Sequence, residues 1–322
     1  MINKTDCSVP CNLCESTTVK ELCLKDRKGG NLRTIICKKC GLIWTDPRPA
    51  EYKIKEFYSN GYRREYKGIY KPELKHIYRD AKRSIRRFNF LKEVIEEGNK
   101  ILDIGSGTGA FLYTLRKLGL NATGIEPNEG YASYSREELS VPVQVCVVQN
   151  IEENNPFDII TLHHVLEHVT DPFGVLRKIW KLLKINAYLM VEVPNAENIT
   201  QDPKNRYHKA HLYTFNPETL ESIGKKSGFE VYKKSIASFN GNITIIFRKT
   251  KNFNEISGIL SGNYKKITKT LNKHTRFHHF TTPTPYKKII KKISSTLYEE
   301  IFLKKFNKGK DIIDILIAKE IS

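Results

Sequence analysis

From Lys100 onward, short apolar runs alternate with amphipathic stretches. Residues 101–104, 122–125, 143–148, 158–162 and 188–193 read as strands. Between and after them, apolar residues at helical spacing mark helices near 110–118, 130–138, 165–183 and 217–227. Strands alternating with helices predict an α/β fold, a Rossmann-like, mostly parallel sheet with helices on both faces. Ligands of such sheets bind beyond the carboxyl ends of the strands, so functional residues are sought just after each one. Upstream, Leu74, Ile77, Ile85, Phe88, Leu91, Val94 and Ile95 recur at helical spacing and predict a helical bridge into this domain. Beyond Lys249 the alternation breaks. Gly262-Asn263 and Thr281-Thr282-Pro283-Thr284-Pro285 divide that region into helical stretches, and 312–318 reads as a final strand returning to the sheet.

Composition narrows the setting. A chain of 322 residues can build one substantial core plus a small accessory domain. Its 39% hydrophobic content, with 10% aromatic residues, fits a folded protein with a polar surface. The start, Met1-Ile2-Asn3-Lys4-Thr5-Asp6, lacks a signal-peptide core, and no run approaches the ~20 apolar residues of a membrane span. A cytoplasmic protein without a transmembrane segment is the expectation. The formal charge of +19 favours anionic ligands: nucleotides, phosphates, nucleic acid or a membrane surface. A genome-wide bias toward lysine, isoleucine and asparagine is the alternative source of that charge. Residues 251–322 hold 15 Lys/Arg against 6 Asp/Glu, about half of the excess. The lysines beside apolar residues at 286–306 fit either a solvated helical insertion over the active site or peripheral contact with an anionic surface.

Cysteine is concentrated at the amino terminus. Six of the seven lie within the first forty residues, and four of these form Cys11-x2-Cys14 and Cys37-x2-Cys40. Two such knuckles place four thiolates on one zinc ion. Between them, Lys28-Gly29-Gly30-Asn31 suits the hairpin turn of a zinc ribbon. Four sulfur ligands make a closed, structural site. Cys7 and Cys23 read as spare, with Cys7 a possible substitute ligand. The predicted organisation is a zinc ribbon at 1–45, a helical linker or cap at 46–98, a cofactor-binding core at 99–250 and a basic helical region at 251–322. The cap reading rests on Phe57, Tyr58, Tyr62, Arg63, Arg64, Tyr66 and Tyr70.

The strand ends carry the chemistry. After the first strand comes Gly105-Ser106-Gly107-Thr108-Gly109, a glycine turn opening a helix, which lets a ligand approach bare backbone. Glu126 follows the second strand, about twenty residues on, where an acidic side chain can accept from ribose hydroxyls. Asn150 and Ile151 follow the third, His163, His164, Glu167 and His168 the fourth, and Pro194 and Asn195 the fifth. The spacing of Gly105, Gly107 and Ala110 also fits a dinucleotide site, so the turn alone leaves both nucleotide-type ligands open.

The full series resembles the class I S-adenosylmethionine-dependent methyltransferases, over roughly 99–236, in the manner of the ubiquinone-biosynthesis O-methyltransferase branch. Ile101-Leu102-Asp103-Ile104-Gly105-Ser106-Gly107-Thr108-Gly109 looks like the first family motif. Phe157-Asp158-Ile159-Ile160 leading to Val165-Leu166-Glu167-His168-Val169, Glu192-Val193-Pro194-Asn195, and His211-Leu212-Tyr213-Thr214-Phe215-Asn216 with Gly228-Phe229 are similar to later ones. The ribbon running into Cys40-Gly41-Leu42-Ile43-Trp44-Thr45-Asp46-Pro47-Arg48-Pro49 resembles an extension found in methyltransferases of glycan and surface-polysaccharide pathways. One departure is Lys184-Ile185-Asn186-Ala187, where relatives carry Lys-Pro-Gly-Gly. Asn186 tolerates a left-handed backbone, so the turn is expected to survive.

The resemblance implies S-adenosylmethionine as cofactor. Asp103 would orient its amino group, Gly105, Ser106, Gly107 and Gly109 would form the close-approach loop, and Glu126 would hold the ribose. Asn150 and the Ile151 backbone would read adenine, and His163 would border the methionine moiety. A sugar hydroxyl is a poor nucleophile and benefits from a general base, for which His211 and His164 are the candidates. His168 is read as a capping or packing residue and His208 as a surface residue. Some relatives hold a divalent metal with acidic residues and this Glu-His pair. Because His164 stands where they are acidic, a catalytic metal is disfavoured. The expected reaction is methylation of a sugar, nucleotide-linked sugar or glycan precursor. The alternatives are a quinone or phenolic acceptor, nucleic acid, and a non-catalytic cofactor-binding protein. No Asn/Asp-Pro-Pro-aromatic sequence or RNA-binding module supports the nucleic-acid reading.

Overall fold

The computed structural model describes residues 7–49, 72–154, 156–237, 241–251 and 257–321. The chain begins with β1 (Val19–Lys25), β2 (Asn31–Cys37), β3 (Ile43–Thr45), α1 (Leu74–Leu91), β4 (Lys100–Ile104) and α2 (Ala110–Lys117). It continues through β5 (Asn121–Ile125), α3 (Glu129–Leu139), β6 (Val143–Gln144), β7 (Phe157–His163), α4 (Pro172–Leu182) and β8 (Leu183–Pro194). Next come β9 (Tyr213–Thr214), α5 (Pro217–Lys226), β10 (Phe229–Ile236) and β11 (Asn242–Lys249). Helices α6 (Asn263–Lys273), α7 (Arg276–Thr281), α8 (Thr284–Leu303) and α9 (Gly309–Glu320) complete it.

The strands form a sheet in the order β1-β2-β3-β9 and a seven-stranded sheet in the order β10-β11-β8-β7-β4-β5-β6. In the larger sheet β4 runs parallel to β5 and β7, β5 parallel to β6, and β10 antiparallel to β11. This is the α/β architecture that the alternation predicts. The chain divides into two compact units, Met1–Glu51 with His164–Trp180 and Val191–Ile289, and Tyr52–His163 with Lys181–Met190 and Ile290–Ser322.

In the second unit, Ile101, Leu102 and Ile104 of β4 are buried, as expected of a strand covered on both faces. Helix α1 lies where the helical spacing places it, burying Ile77, Tyr78, Ala81, Ser84, Ile85 and Leu91. The aromatic and basic cap residues at 57–70 lie outside the described residues. The expected strand at 312–318 is instead part of helix α9. Ile312, Ile313, Leu316 and Ile317 are buried while Ile315 is exposed, which is helical and not alternating burial. The run of isoleucines gave the segment the composition of a strand, and tertiary packing overrode it. Tyr113 Oη donates to Asp314 Oδ1 at 2.8 Å, and a side chain at Gly309 would collide with Tyr134 Oη. The last strand of the sheet is β11, which no expectation covered and which stands between β8 and β10. Lys184-Ile185-Asn186-Ala187, expected to form a turn, instead lies within β8, although Asn186 takes the left-handed backbone expected of it, at φ 64°.

In the first unit, β1 and β2 form the expected hairpin, with Lys25 opposite Asn31. Asp26 Oδ1 accepts from the Lys28 and Gly30 amides at 2.9 and 2.7 Å, closing the turn. β3 pairs with β2 on one side and β9 on the other, so two residues from late in the chain complete the ribbon's sheet. Helix α6 packs Ile267 and Leu271 against Ile36, Ile43 and Ala196. Asn263, at its first position, donates to the Cys40 carbonyl at 2.8 Å.

Candidate functional site

The glycine loop leaves β4 and enters α2 with Gly105, Gly107 and Gly109 at φ 70°, 58° and 73°. All three lie in the left-handed region that favours glycine. A Cβ on Gly109 would also stand 2.5 Å from Ser135 Oγ. The loop is fixed from several directions. The Gly105 and Ser106 amides donate to the Ile125 carbonyl at 2.8 and 3.0 Å, and Thr108 Oγ1 donates to Asp80 of α1 at 2.9 Å. Glu126 Oε2 accepts from the Gly107 amide at 2.9 Å, while its Oε1 accepts from the Asn128 amide at 3.0 Å. Asp103 is buried, accepts from Thr161 Oγ1 at 2.6 Å, and has His163 Nδ1 3.3 Å from its carboxylate. Phe111 of α2 meets the His163 ring edge-on at 4.9 Å. Ser106 Oγ is buried with no hydrogen-bond partner among the described residues. Bare backbone, two carboxylates and this unsatisfied hydroxyl fit a ligand carrying an amino group and ribose hydroxyls.

Asn150 closes the short helical turn at Val148–Asn150 and is exposed, and the Ile151 amide donates to the Val148 carbonyl at 3.3 Å. Neither shares a hydrogen bond with the glycine loop among the described residues.

The four paired cysteines come together as the spacing predicts. One ligand atom from each of Cys11, Cys14, Cys37 and Cys40 lies within 4.8 Å of the others. The Sγ atoms of Cys11 and Cys40 are 3.5 Å apart and those of Cys14 and Cys37 3.4 Å, near the ~3.8 Å of a tetrahedral zinc thiolate site. The Lys39 and Leu42 amides point at Cys37 Sγ and Cys40 Sγ at 3.4 and 3.5 Å, a geometry that stabilises thiolates. Cys7 Sγ lies outside the set, 3.6 Å from the Thr17 carbonyl.

The first unit also assembles a histidine cluster. His164 adopts φ 58°, a strained conformation for a residue with a Cβ. Its amide donates to the Glu192 carbonyl at 2.8 Å. Its Nδ1 lies 3.2 Å from Glu167 Oε1 and its Nε2 3.2 Å from Glu192 Oε1, with the Asn242 carboxamide 3.1 Å from the same nitrogen. Burial disfavours the charged ring, but hydrogen bonds to Glu167 and Glu192 outweigh it and push the His164 pKa up to about 9. His168 places Nδ1 2.7 Å from the Ala210 carbonyl, which makes Nδ1–H the donor and turns Nε2 toward Glu167, 3.7 Å away.

His211 meets His168 edge-on at 4.8 Å and His208 at 3.7 Å between ring centroids. Burial, then the neighbouring His168, His208 and His164, hold its pKa well below the usual histidine range. His208 is buried, which corrects the surface position expected of it. Desolvation and the nearby Arg27 push its pKa down to about 4. The ring packs at a tilt of 47° against that of His211, and the short spacing from that residue is the one signal of it in the sequence. Ligand atoms of Glu167, His168 and His211 lie within 4.8 Å of one another, a donor set able to hold a cation. Glu167 Oε2 is buried without a hydrogen-bond partner among the described residues.

His164, His208 and His211 line a cavity of about 270 Å³, together with Arg27, Arg206 and a series of carboxamides that includes Asn195 and Asn242. Sequence reasoning did not single out Arg27, Arg206 or Asn242. They lie far apart in the chain and belong to no local pattern.

Residues 74–234, half of the chain, match the family described as "Methyltransferase domain". The chain belongs to that methyltransferase family. A ubiquinone biosynthesis O-methyltransferase from Proteus mirabilis (strain HI4320) is 27% identical over 118 residues, covering 34% of this chain and 48% of its own. One from Pseudomonas aeruginosa (strain UCBPP-PA14) is 30% identical over 154 residues, covering 42% and 66%. The chain spans about half the length of curated relatives such as the Proteus protein. Among solved structures, magnesium protoporphyrin IX methyltransferase from Synechocystis PCC 6803 superposes with a TM-score of 0.48 at 12% identity. That match covers 62% of this chain and 100% of the other.

Proposed function

We propose that the protein is an S-adenosylmethionine-dependent methyltransferase whose acceptor is a hydroxyl of a sugar or nucleotide-linked sugar, with zinc in the four-cysteine site as a structural ion. The cofactor reading rests on the loop geometry together with family membership. Gly105, Ser106, Gly107 and Gly109 supply the close-approach backbone, Asp103 the partner for an amino group, and Glu126 the ribose acceptor. Asn150 and the Ile151 backbone are assigned to adenine, and His163 to the methionine end. When bound, the cofactor supplies a methyl group activated by a sulfonium.

The observation that carries the acceptor reading is the cavity lining. Among the described residues it comprises five carboxamides, three imidazoles, two guanidiniums, the Asp202 carboxylate and the Thr214 hydroxyl, with Pro194 and Gly241. Carboxamides pair with hydroxyls as both donor and acceptor, and guanidiniums take phosphate oxygens. A quinone or phenol ring would call for apolar or aromatic walls. The names of the curated relatives favour a phenolic acceptor as the second reading.

His211, held neutral at physiological pH, is assigned as the general base that takes the acceptor proton. His164, held protonated between two carboxylates, is a poor base and serves as a fixed positive charge. Two histidines whose environments drive their pKa values apart divide the acid and base roles between them.

The test is turnover with labelled S-adenosylmethionine against panels of nucleotide-sugars, sugar phosphates and catechols, with products read by mass. Methylated nucleotide-sugar is expected, and Arg206→Ala should raise its KM by about tenfold at little cost in kcat. Methylation confined to catechols would overturn the acceptor reading and leave the cofactor assignment standing.

A further inference from the structure

Helix α8 carries an apolar stripe that internal packing does not use. Tyr286, Ile289, Ile290, Ile293, Leu297 and Ile301 fall at i, i+3, i+4, i+7, i+11 and i+15, on one side of the helix. All are exposed, from 54% for Tyr286 and Ile289 to 68% for Ile290. The other side provides the seat. Glu299 is buried and pairs with Arg79 of α1 at 2.9 Å, and the Phe302 ring lies 5.1 Å from that of Tyr78. Scattered exposed apolar residues are normal on a soluble surface, whereas a continuous stripe of this length marks an interaction face.

The charges indicate what covers it. Lys287 and Lys291 border one edge of the stripe and Lys292 the other, while Lys304 and Lys305 follow its end. All five are exposed, and Lys287, Lys292, Lys304 and Lys305 make no ion pair among the described residues. Apolar side chains on one face with lysines along its borders suit a helix lying in the plane of a lipid surface. The isoleucines enter the acyl boundary and the ammonium groups reach up to the phosphates. No helix among the described residues is long and apolar enough to cross a membrane, so such contact is lateral. A second copy packed on the same stripe would bring the bordering lysines together, with like charges opposed. A nucleic acid would satisfy the lysines but leave the isoleucines in water.

We propose that α8 is an in-plane anchor that docks the chain on an anionic lipid membrane. The proposal stands apart from the acceptor assignment, since it uses none of the cavity residues.

The test is co-sedimentation of the full chain with vesicles of phosphatidylcholine alone or mixed equally with phosphatidylglycerol. Binding to the anionic vesicles is expected to be at least about tenfold tighter, and to weaken with added salt. The double substitution Ile290→Asp/Ile293→Asp should abolish it while S-adenosylhomocysteine still binds. Separately, Ile293→Trp should shift its emission to the blue with anionic vesicles only, a readout that does not depend on the double variant folding. Equal vesicle binding by wild type and the double variant, or no shift for the tryptophan, would overturn the proposal. So would a concentration-dependent dimer that the double variant abolishes in a protein that ignores vesicles, which would assign the stripe to a second copy.

Discussion

The glycine loop and the histidine cluster hold buried polar groups by opposite means. In the loop, the carboxylates of Asp103 and Glu126 are met mainly by a hydroxyl and by backbone amides, donors that carry no charge of their own, with His163 the one ionisable partner of Asp103. In the cluster, ionisable groups face one another: His164 between Glu167 and Glu192, His211 against His168 and His208. Neutral partners fix geometry and suit a binding surface. Mutually perturbing partners split protonation states, which suits proton transfer. The contrast implies that the two regions fail separately when damaged.

With zinc in the four-cysteine site as proposed, its removal should separate them most sharply. Chelation, or Cys37→Ser, takes away on the order of 10 kcal/mol of metal-coupled folding energy from the ribbon. The loss reaches the cluster through β3. The Thr45 amide donates to the Leu212 carbonyl at 2.9 Å, Thr45 Oγ1 donates to the His211 carbonyl at 3.3 Å, and the Leu212 amide donates to the Glu167 carbonyl at 2.8 Å. Methyl transfer should fall below detection while S-adenosylhomocysteine binding, followed by calorimetry, persists. Loss of both together would mean that the two regions are one cooperative unit.

Next in size is His211→Ala, expected to lower kcat by about 10²–10⁴ with the cofactor Kd unchanged. The pH profile sharpens the assignment. A base whose pKa is held well below the usual histidine range is neutral above that value, so kcat should stay level as pH falls through 6.5 and drop only in more acid solution. A midpoint at the ordinary histidine pKa would point to a solvated base elsewhere.

The reciprocal experiment is Gly109→Val. It forces a branched side chain into a left-handed backbone 2.5 Å from Ser135 Oγ, and should weaken S-adenosylhomocysteine binding about 100-fold. The cluster should keep its titration, read from the histidine ring proton resonances.

The same contrast explains what was legible in the sequence. Asp103, the three glycines and the four cysteines lie close together along the chain, so local spacing carries their geometry. The parallel core likewise announces itself through continuous apolar strands such as β4. The cluster and its cavity draw on Arg27, Glu167, Glu192, Arg206, His208 and Asn242, which only tertiary folding brings together. Strands β10 and β11 escaped notice for a related reason. Residues 230, 232–236 of β10 are largely solvent-facing, with Lys233, Lys234 and Ser235 diluting the apolar signal of an edge hairpin. Helix α9 is the opposite case, since its isoleucines have the composition of a strand while their burial follows helical spacing.

The smallest effect is on stability and concerns His164. Its pKa is raised to about 9 in the folded chain from an ordinary value near 6.5. The stabilisation from its carboxylate partners is therefore fully present below about pH 6.5 and lost as pH rises through about 9. With 34% of the side chain still exposed, solvent screening reduces this to about 1–2 kcal/mol, a few degrees in Tm. Thermal unfolding between pH 6.5 and 9.5 should show the decline, and Glu192→Gln, which removes one of the two carboxylates, should flatten it. A Tm that instead rises over this window would mean that His164 is neutral in the folded chain. The contrast between a histidine held charged and one held neutral would then collapse, and the base could be either ring.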